Sequence, residues 1–263
     1  NVEGLLPKML KKLWAARKVA KKQMKNAPTP ELKAVYNGKQ LAIKVSMNSI
    51  YGFTGASTGM LPCKPIASTT TTIGRGMIQR SKNCAESWYD GSEDSNGIKA
   101  HVVYGDTDSI YTKFTLPGQS EMDHETLMKE QFRVATECAE RISETFIKPI
   151  ELEMEKVMYP FLLFSKKRYA CLYYEVPEKP KGIDCKGIQV VRRDNCPLVK
   201  DICNPVLDKI MYDKDIPGAE KIASDGVKRL LENKVPIEKL VLSKTLKKGY
   251  RCSVCHALDT QHY

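Results

Sequence analysis

The run from Val102 to Phe114, VVYGDTDSIYTKF, constrains the chain more than any other. Two short segments rich in β-branched and aromatic residues flank Gly105-Asp106-Thr107-Asp108. That pattern predicts strands over 99–104 and 109–114 joined by a tight turn, a β-hairpin. An antiparallel sheet must therefore be part of the fold. The turn also carries two carboxylates, Asp106 and Asp108, one residue apart. Clustered carboxylates repel unless a cation neutralises them. Mg²⁺ accepts a few carboxylates and keeps positions for phosphate oxygens and water. The alternative is an ordinary Asp-rich turn, since turns use Asp freely.

The hairpin sits in a helical context. Leu6, Met9, Leu13, Ala16, Ala20 and Met24 recur at steps of three and four, so residues 4–26 read as an amphipathic helix. Pro28 and Pro30 break it, and a second helix is expected from about Glu31 to Phe53. Two long helices joined by a short turn pack antiparallel. Further helices are expected from about Ser68 to Tyr89, with Ile73, Met77, Cys84 and Trp88 on one face, and from about Asp123 to Ile147. Residues 151–157 alternate charged and apolar, which predicts a half-buried strand. More strands are expected over 161–176 and 187–192, and helices return after Asn195. The fold class is thus α+β.

Three further groups carry chemistry. Lys44, Asn48 and Tyr51 stand at i, i+4 and i+7, on one helical stripe. A cation, an amide and a phenol suit a nucleotide; a solvated helix face is the alternative. Arg17 and Lys21, at i and i+4, repel unless an anion such as a triphosphate bridges them, or are two among many surface cations. In FSKKRYA, strand alternation would place Lys167 and Tyr169 on one face and Lys166 and Arg168 on the other. Such groups can follow a nucleic-acid backbone, or can simply guard an edge strand.

Charge and cysteine usage narrow the setting. The net charge is +11, and between Gly4 and Pro30 there are eight Lys and Arg residues and no acid. Phosphate is the usual counter-charge for such a density. Nine scattered cysteines argue for reduced thiols in an intracellular compartment. No apolar run is long enough for a transmembrane helix, so no membrane partner is expected. Asn1 opens without an initiator Met or a signal-peptide pattern, so a piece of a longer protein is expected.

LLPKMLKKLWAARKVAK, KVSMNSIYGFTGA, VVYGDTDSIY, FSKKRYA and DCKGIQVVRRDNCPLV occur in that order. Together they resemble the family B DNA polymerases, nearest to the replicative delta type and its relatives in large DNA viruses. The resemblance covers roughly residues 4–245. It implies fingers over 1–53 formed by two antiparallel helices, and a palm over 54–192 whose antiparallel sheet, backed by helices, carries the hairpin. A partial helical thumb follows over 193–263. It implies that Arg17, Lys21 and Lys44 hold the incoming triphosphate, with Lys44 able to protonate the leaving pyrophosphate, and that Asn48 and Tyr51 line the nascent base pair. Asp106 and Asp108 would be the acidic pair for two Mg²⁺ ions, Asp108 the more direct ligand. Lys167, Arg168 and Tyr169 would hold the primer end, and Arg192 and Arg193 would open the thumb on DNA.

The implied reaction is two-metal transfer of deoxynucleotides to a primer 3′-hydroxyl. Its partners would be primer–template DNA, deoxynucleoside triphosphates and, through other parts, a sliding clamp or accessory subunits. The implied setting is the nucleus or a viral replication site. Two departures stand out. The family's further metal-binding Asp, in a motif of the form D-x-x-S-L-Y-P, is absent, so these residues alone are expected to be inactive. The end, KKGYRCSVCHALDTQHY, fits poorly; Cys252-x-x-Cys255-His256 with His262 has the form of a haem-attachment or zinc cluster. Two other function classes stay open: a non-catalytic nucleic-acid-binding module, and a structural metal protein centred on Cys252 and Cys255.

Overall fold

The computed structural model describes residues 3–59 and 62–244. The Cys252, Cys255, His256 and His262 cluster lies outside them, as does the last part of the expected thumb. The chain divides into two compact units, 1–82 with the turn 107–109, and the remainder. The elements confirm an α+β fold with six α-helices and two small antiparallel sheets among the described residues.

In the first unit, α1 spans Leu5–Lys25 and α2 spans Pro30–Gly55. Helix α2 starts where the sequence sets a cap: the Thr29 side chain accepts from the Leu32 N–H at 3.3 Å and Pro30 fills the first turn. The positions shielded from solvent on α1 are Leu6, Leu10, Leu13, Arg17, Ala20 and Met24; on α2 they are Tyr36, Gln40, Ile43, Met47, Ile50 and Thr54. Both sets step by four and three alternately, the spacing of a coiled-coil seam. The Arg17 Nε–H donates to Gln40 Oε1 at 3.3 Å across it. The seam departs from the expected stripe at two places: it runs through Leu10 and Arg17, while Met9 is 42% exposed and Ala16 is exposed. Helix α3 follows over Lys64–Trp88, starting earlier than the expected Ser68, and Ile73 on its expected apolar face is 52% exposed.

In the second unit, β1 (Lys99–Asp106) and β2 (Ser109–Thr115) form the expected hairpin, and α4 spans His124–Glu144. The Asp123 side chain caps α4, accepting from the backbone N–H of Glu125 and Thr126. Ala85 and Tyr89, Ala100 and Phe114, and Val134, Cys138 and Ile142 of α4 share one core. Burying an aliphatic side chain of this size contributes roughly 1.5–3 kcal/mol, so the hairpin rests on a fixed platform. A second core joins Met128 of α4 to a three-stranded sheet, β3 (Val157–Ser165), β4 (Arg168–Tyr174) and β5 (Gly182–Lys186), in that order. The expectation of one sheet carrying the hairpin is therefore corrected: the described strands form two separate ladders.

Three other expectations change. Residues 151–156 alternate in burial as predicted but join no ladder. The buried Ser143 hydroxyl pins them instead, accepting from the Leu152 N–H at 2.7 Å. Residues 187–192 hold no strand; Gly187 takes φ +62 and Gln189–Val191 form a 3-10 turn. FSKKRYA is not one strand: β3 ends at Ser165, β4 begins at Arg168, and Lys167 lies in the turn with φ +61. Lys167 is thus exposed while Tyr169 is 5% exposed. After Asn195, α5 (Pro197–Asp208) and α6 (Ile216–Leu231) pack where Gly226 admits Ile202.

Asp184 on β5 receives Lys186 at 2.9 Å and Lys156 at 3.1 Å. Burial alone would raise its carboxyl, but hydrogen bonds from Lys186 and Lys156 outweigh it and hold it below the usual carboxylate range. A depressed folded-state value contributes stability above the unfolded value, near 3.9, that is lost as pH falls through the folded one. Asp184→Asn should therefore flatten the loss of stability below about pH 4. Urea unfolding of both proteins at neutral and acid pH checks this; an unchanged acid limb contradicts it.

Candidate active site

Each group of candidate residues is placed by its own local structure. On a helix each residue advances about 100°. Lys44 and Tyr51 each follow a seam residue by one position, as does Asn48 after Met47, so the three form a ridge beside the α2 seam. Lys21 follows Ala20 in the same way on α1. Because the two right-handed helices run antiparallel, both ridges fall on the same side of the pair. Arg17 lies on the seam at the level of Gln40. Along that side Lys21, Arg17, Lys44, Asn48 and Tyr51 therefore succeed one another at about one helical turn, roughly 5.4 Å, per step. Lys44, Asn48 and Lys21 are exposed, whereas Arg17 is half-buried. The Tyr51 hydroxyl donates to the Ala67 carbonyl at 3.3 Å. Three cations, then an amide, then a phenol line that side of the helix pair.

The hairpin turn presents its two acids differently. Thr107 takes φ +54, and Asp106 closes β1 while Asp108 stands exposed in the turn. The Asp106 side chain is only 25% exposed. Its Oδ1 accepts from Lys167 Nζ, and its Oδ2 accepts from the Tyr104 hydroxyl at 3.2 Å. That hydroxyl accepts in turn from the Lys167 backbone N–H at 2.9 Å. The hydrogen bond to Asp106 holds the Lys167 ammonium above its usual range.

Aromatic packing keeps the two hairpins in register. Tyr111 lies 5.0 Å from Tyr104, 5.7 Å from Phe161 and 5.8 Å from Tyr169, centroid to centroid. The hydroxyls of Tyr111 and Tyr169 are 3.2 Å apart. Burial first, then this hydrogen bond, push the Tyr169 phenol upward, so it stays neutral. Tyr169 is thus a buried aromatic, not an exposed one.

Gly187 supports the Lys167 turn from below. A Cβ there would sit 2.2 Å from the Lys167 carbonyl oxygen. Arg168 Nε donates to the Gly187 carbonyl at 3.3 Å. Arg192 is exposed and paired with Asp194 at 2.7 Å, and Arg193 is exposed beside it. Sequence reasoning missed Gln40, Tyr104, Tyr111 and Gly187. Only Tyr104 carried a readable signal: it stands two residues before Asp106, hence on the same strand face.

The donor set at the turn is carboxylate oxygen, the hard donor Mg²⁺ takes, and it fits that ion. Asp108 offers a free-standing carboxylate, with Asp106 beside it in sequence. Among the described residues no group of three or more His, Cys, Asp or Glu is gathered as a metal site. The seven described cysteines are free thiols. No described helix is long and apolar enough to cross a membrane.

The family model of DNA polymerase family B matches residues 1–257. The chain is similar to the DNA polymerase delta catalytic subunit of Glycine max, 46% identical over 248 residues, covering 94% of this chain and 22% of that protein. It is 44% identical over 246 residues to that of Candida albicans, covering 94% and 23%. It is 40% identical over 257 residues to that of Dictyostelium discoideum, covering 97% and 22%. The chain thus spans about a fifth of the length of the curated relatives it matches.

Proposed function

The chain belongs to DNA polymerase family B, and from that premise we infer that it supplies the nucleotide-binding helices, acidic turn and primer-holding hairpin of a DNA-directed DNA polymerase of the delta type. Residues 1–53 would be fingers, 54–192 palm and 193–263 the start of the thumb. The observation that carries this reading is the unequal state of the two acids: Asp106 is held by Lys167 and Tyr104, while Asp108 stands exposed on a turn braced by a packed hairpin.

Asp108, with Asp106 beside it, would hold Mg²⁺, two ions in the full site. When bound there it would supply neutralisation of phosphate charge and a more acidic primer 3′-hydroxyl. The chain's own residues do the rest. Arg17, Lys21 and Lys44 draw the triphosphate along the α1–α2 flank. Asn48 and Tyr51 border the sugar and base. The primer 3′-hydroxyl loses its proton to water, its oxygen forms a bond to the α-phosphorus, the bond from that phosphorus to the bridging oxygen breaks, and Lys44 protonates the departing pyrophosphate. Lys167, with Arg168, Arg192 and Arg193, would hold the primer and its duplex, and Tyr169, buried against Tyr111 and Phe161, would brace the hairpin beneath them. A further carboxylate is required from an Asp motif outside these residues, so the chain alone would not catalyse extension. Sliding clamps or accessory subunits would engage other parts, in the nucleus or at a viral replication site.

Primer extension by the full-length gene product tests the reading. Template-directed addition that needs Mg²⁺ and the complementary deoxynucleotide is the expected result. Tight DNA binding with no extension would instead establish a non-catalytic nucleic-acid-binding module, which the basic α1 surface alone would serve.

A further inference from the structure

Tyr104 has no role in the scheme above, yet it closes a ring of hydrogen bonds at the centre of the site. Its hydroxyl donates its one proton to Asp106 Oδ2 at 3.2 Å and accepts the Lys167 backbone N–H at 2.9 Å. The Lys167 ammonium returns to the other oxygen of the same carboxylate. Each oxygen of Asp106 therefore has a separate partner, and both partners belong to one connected unit. The Lys167 N–H lies in a turn with φ +61, outside the β3–β4 ladder. The phenol supplies the partner that the ladder does not. The ring of Tyr104 is itself fixed, 5.0 Å from Tyr111, which stacks on Phe161.

A hydroxyl on a rigid aromatic arm is neutral and both donates and accepts. A carboxylate in its place would repel Asp106, and a cation would compete with Lys167. We propose that Tyr104 is a positioning residue: it ties the Lys167 turn to the acidic turn, fixes the orientation of the Asp106 carboxylate, and so leaves Asp108 as the acid presented to the ion. The proposal rests on the polymerase reading for its effect on catalysis, but the clamp itself does not.

Two measurements on the full-length gene product separate these. The first is hydrogen exchange at the Lys167 amide, which does not depend on any activity. Tyr104→Phe removes the acceptor and keeps the ring, so exchange should accelerate at least about tenfold with the melting temperature nearly unchanged; unchanged exchange overturns the proposal. The second is single-turnover nucleotide addition at saturating DNA and nucleotide. Tyr104→Phe should slow it about tenfold, within the range that outer partners of metal-site groups contribute, with the nucleotide KM within about twofold. Tyr104→Phe combined with Lys167→Ala should be about as slow as Lys167→Ala alone, because the two act through one carboxylate. A wild-type rate in Tyr104→Phe, or penalties that multiply in the double variant, contradicts the coupling. A wild-type protein that does not extend primers refutes the polymerase reading and leaves the exchange result to decide the clamp.

Discussion

Asp108→Ala in the full-length gene product should lower nucleotide addition by about 10³-fold or more while primer–template binding changes little. A divalent ion is worth several kcal/mol of charge stabilisation in phosphoryl transfer, and each 1.36 kcal/mol is about tenfold in rate. Asp108 is exposed on a left-handed turn, so its loss removes a ligand without opening a core. Binding should persist because the basic surface of α1 and the two hairpins is untouched. The comparison with Asp106→Asn is informative. That variant keeps an oxygen for Tyr104 and loses only the charge facing Lys167. Its penalty should be roughly one to two orders of magnitude, the range for outer partners of a metal site. Single-turnover kinetics with fluorescence anisotropy for DNA binding measures both. An Asp108→Ala protein that adds nucleotides at near wild-type rate removes the metal role.

Lys44→Ala should slow addition by about 10²–10⁴-fold, the range that a positioned general acid supplies. Lys44 lies on the exposed ridge beside the α2 seam, one turn from Arg17 along the helix pair. Its side chain takes no part in the seam, so stability should change by less than about 0.5 kcal/mol. Lys44→Arg separates the two tasks of the amine. Guanidinium keeps the charge but does not give up a proton near neutral pH. It should recover the nucleotide KM more fully than the rate. Equal recovery of both would mean that Lys44 only binds phosphate, and a Lys44→Ala rate within about threefold of wild type would remove it from the mechanism.

The parts legible from sequence are those with one dominant periodicity. The β1–β2 hairpin was readable because period-two strands flank a turn of Gly and Asp, and α4 because Val134, Cys138 and Ile142 recur on a single face. Helix α1 was harder. Its apolar residues satisfy two phases, and the seam takes the one through Leu10 and Arg17, which places a cation where an apolar residue was expected. The segment 151–156 shows that alternation reports burial, not pairing: Ser143 does the work of a neighbouring strand. In FSKKRYA, a positive φ at Lys167 turned a predicted strand into a reversal, and Gly187 beneath it is readable only once the turn is known. The acids and the stripe of Lys44, Asn48 and Tyr51 were visible as residue types. The Tyr104 bridge was not, because its partner lies 63 residues away.

On this reading the exposed acid, Asp108, is the more direct ligand of the ion, ahead of the clamped Asp106. Mn²⁺ bound in a complex of the full-length protein with a non-extendable primer–template and the next deoxynucleotide, followed by electron paramagnetic resonance, tests it most directly. Asp108→Asn should weaken Mn²⁺ binding by at least about tenfold, while Asp106→Asn leaves it closer to wild type. Retention of the ion in Asp108→Asn with its loss in Asp106→Asn would contradict the account.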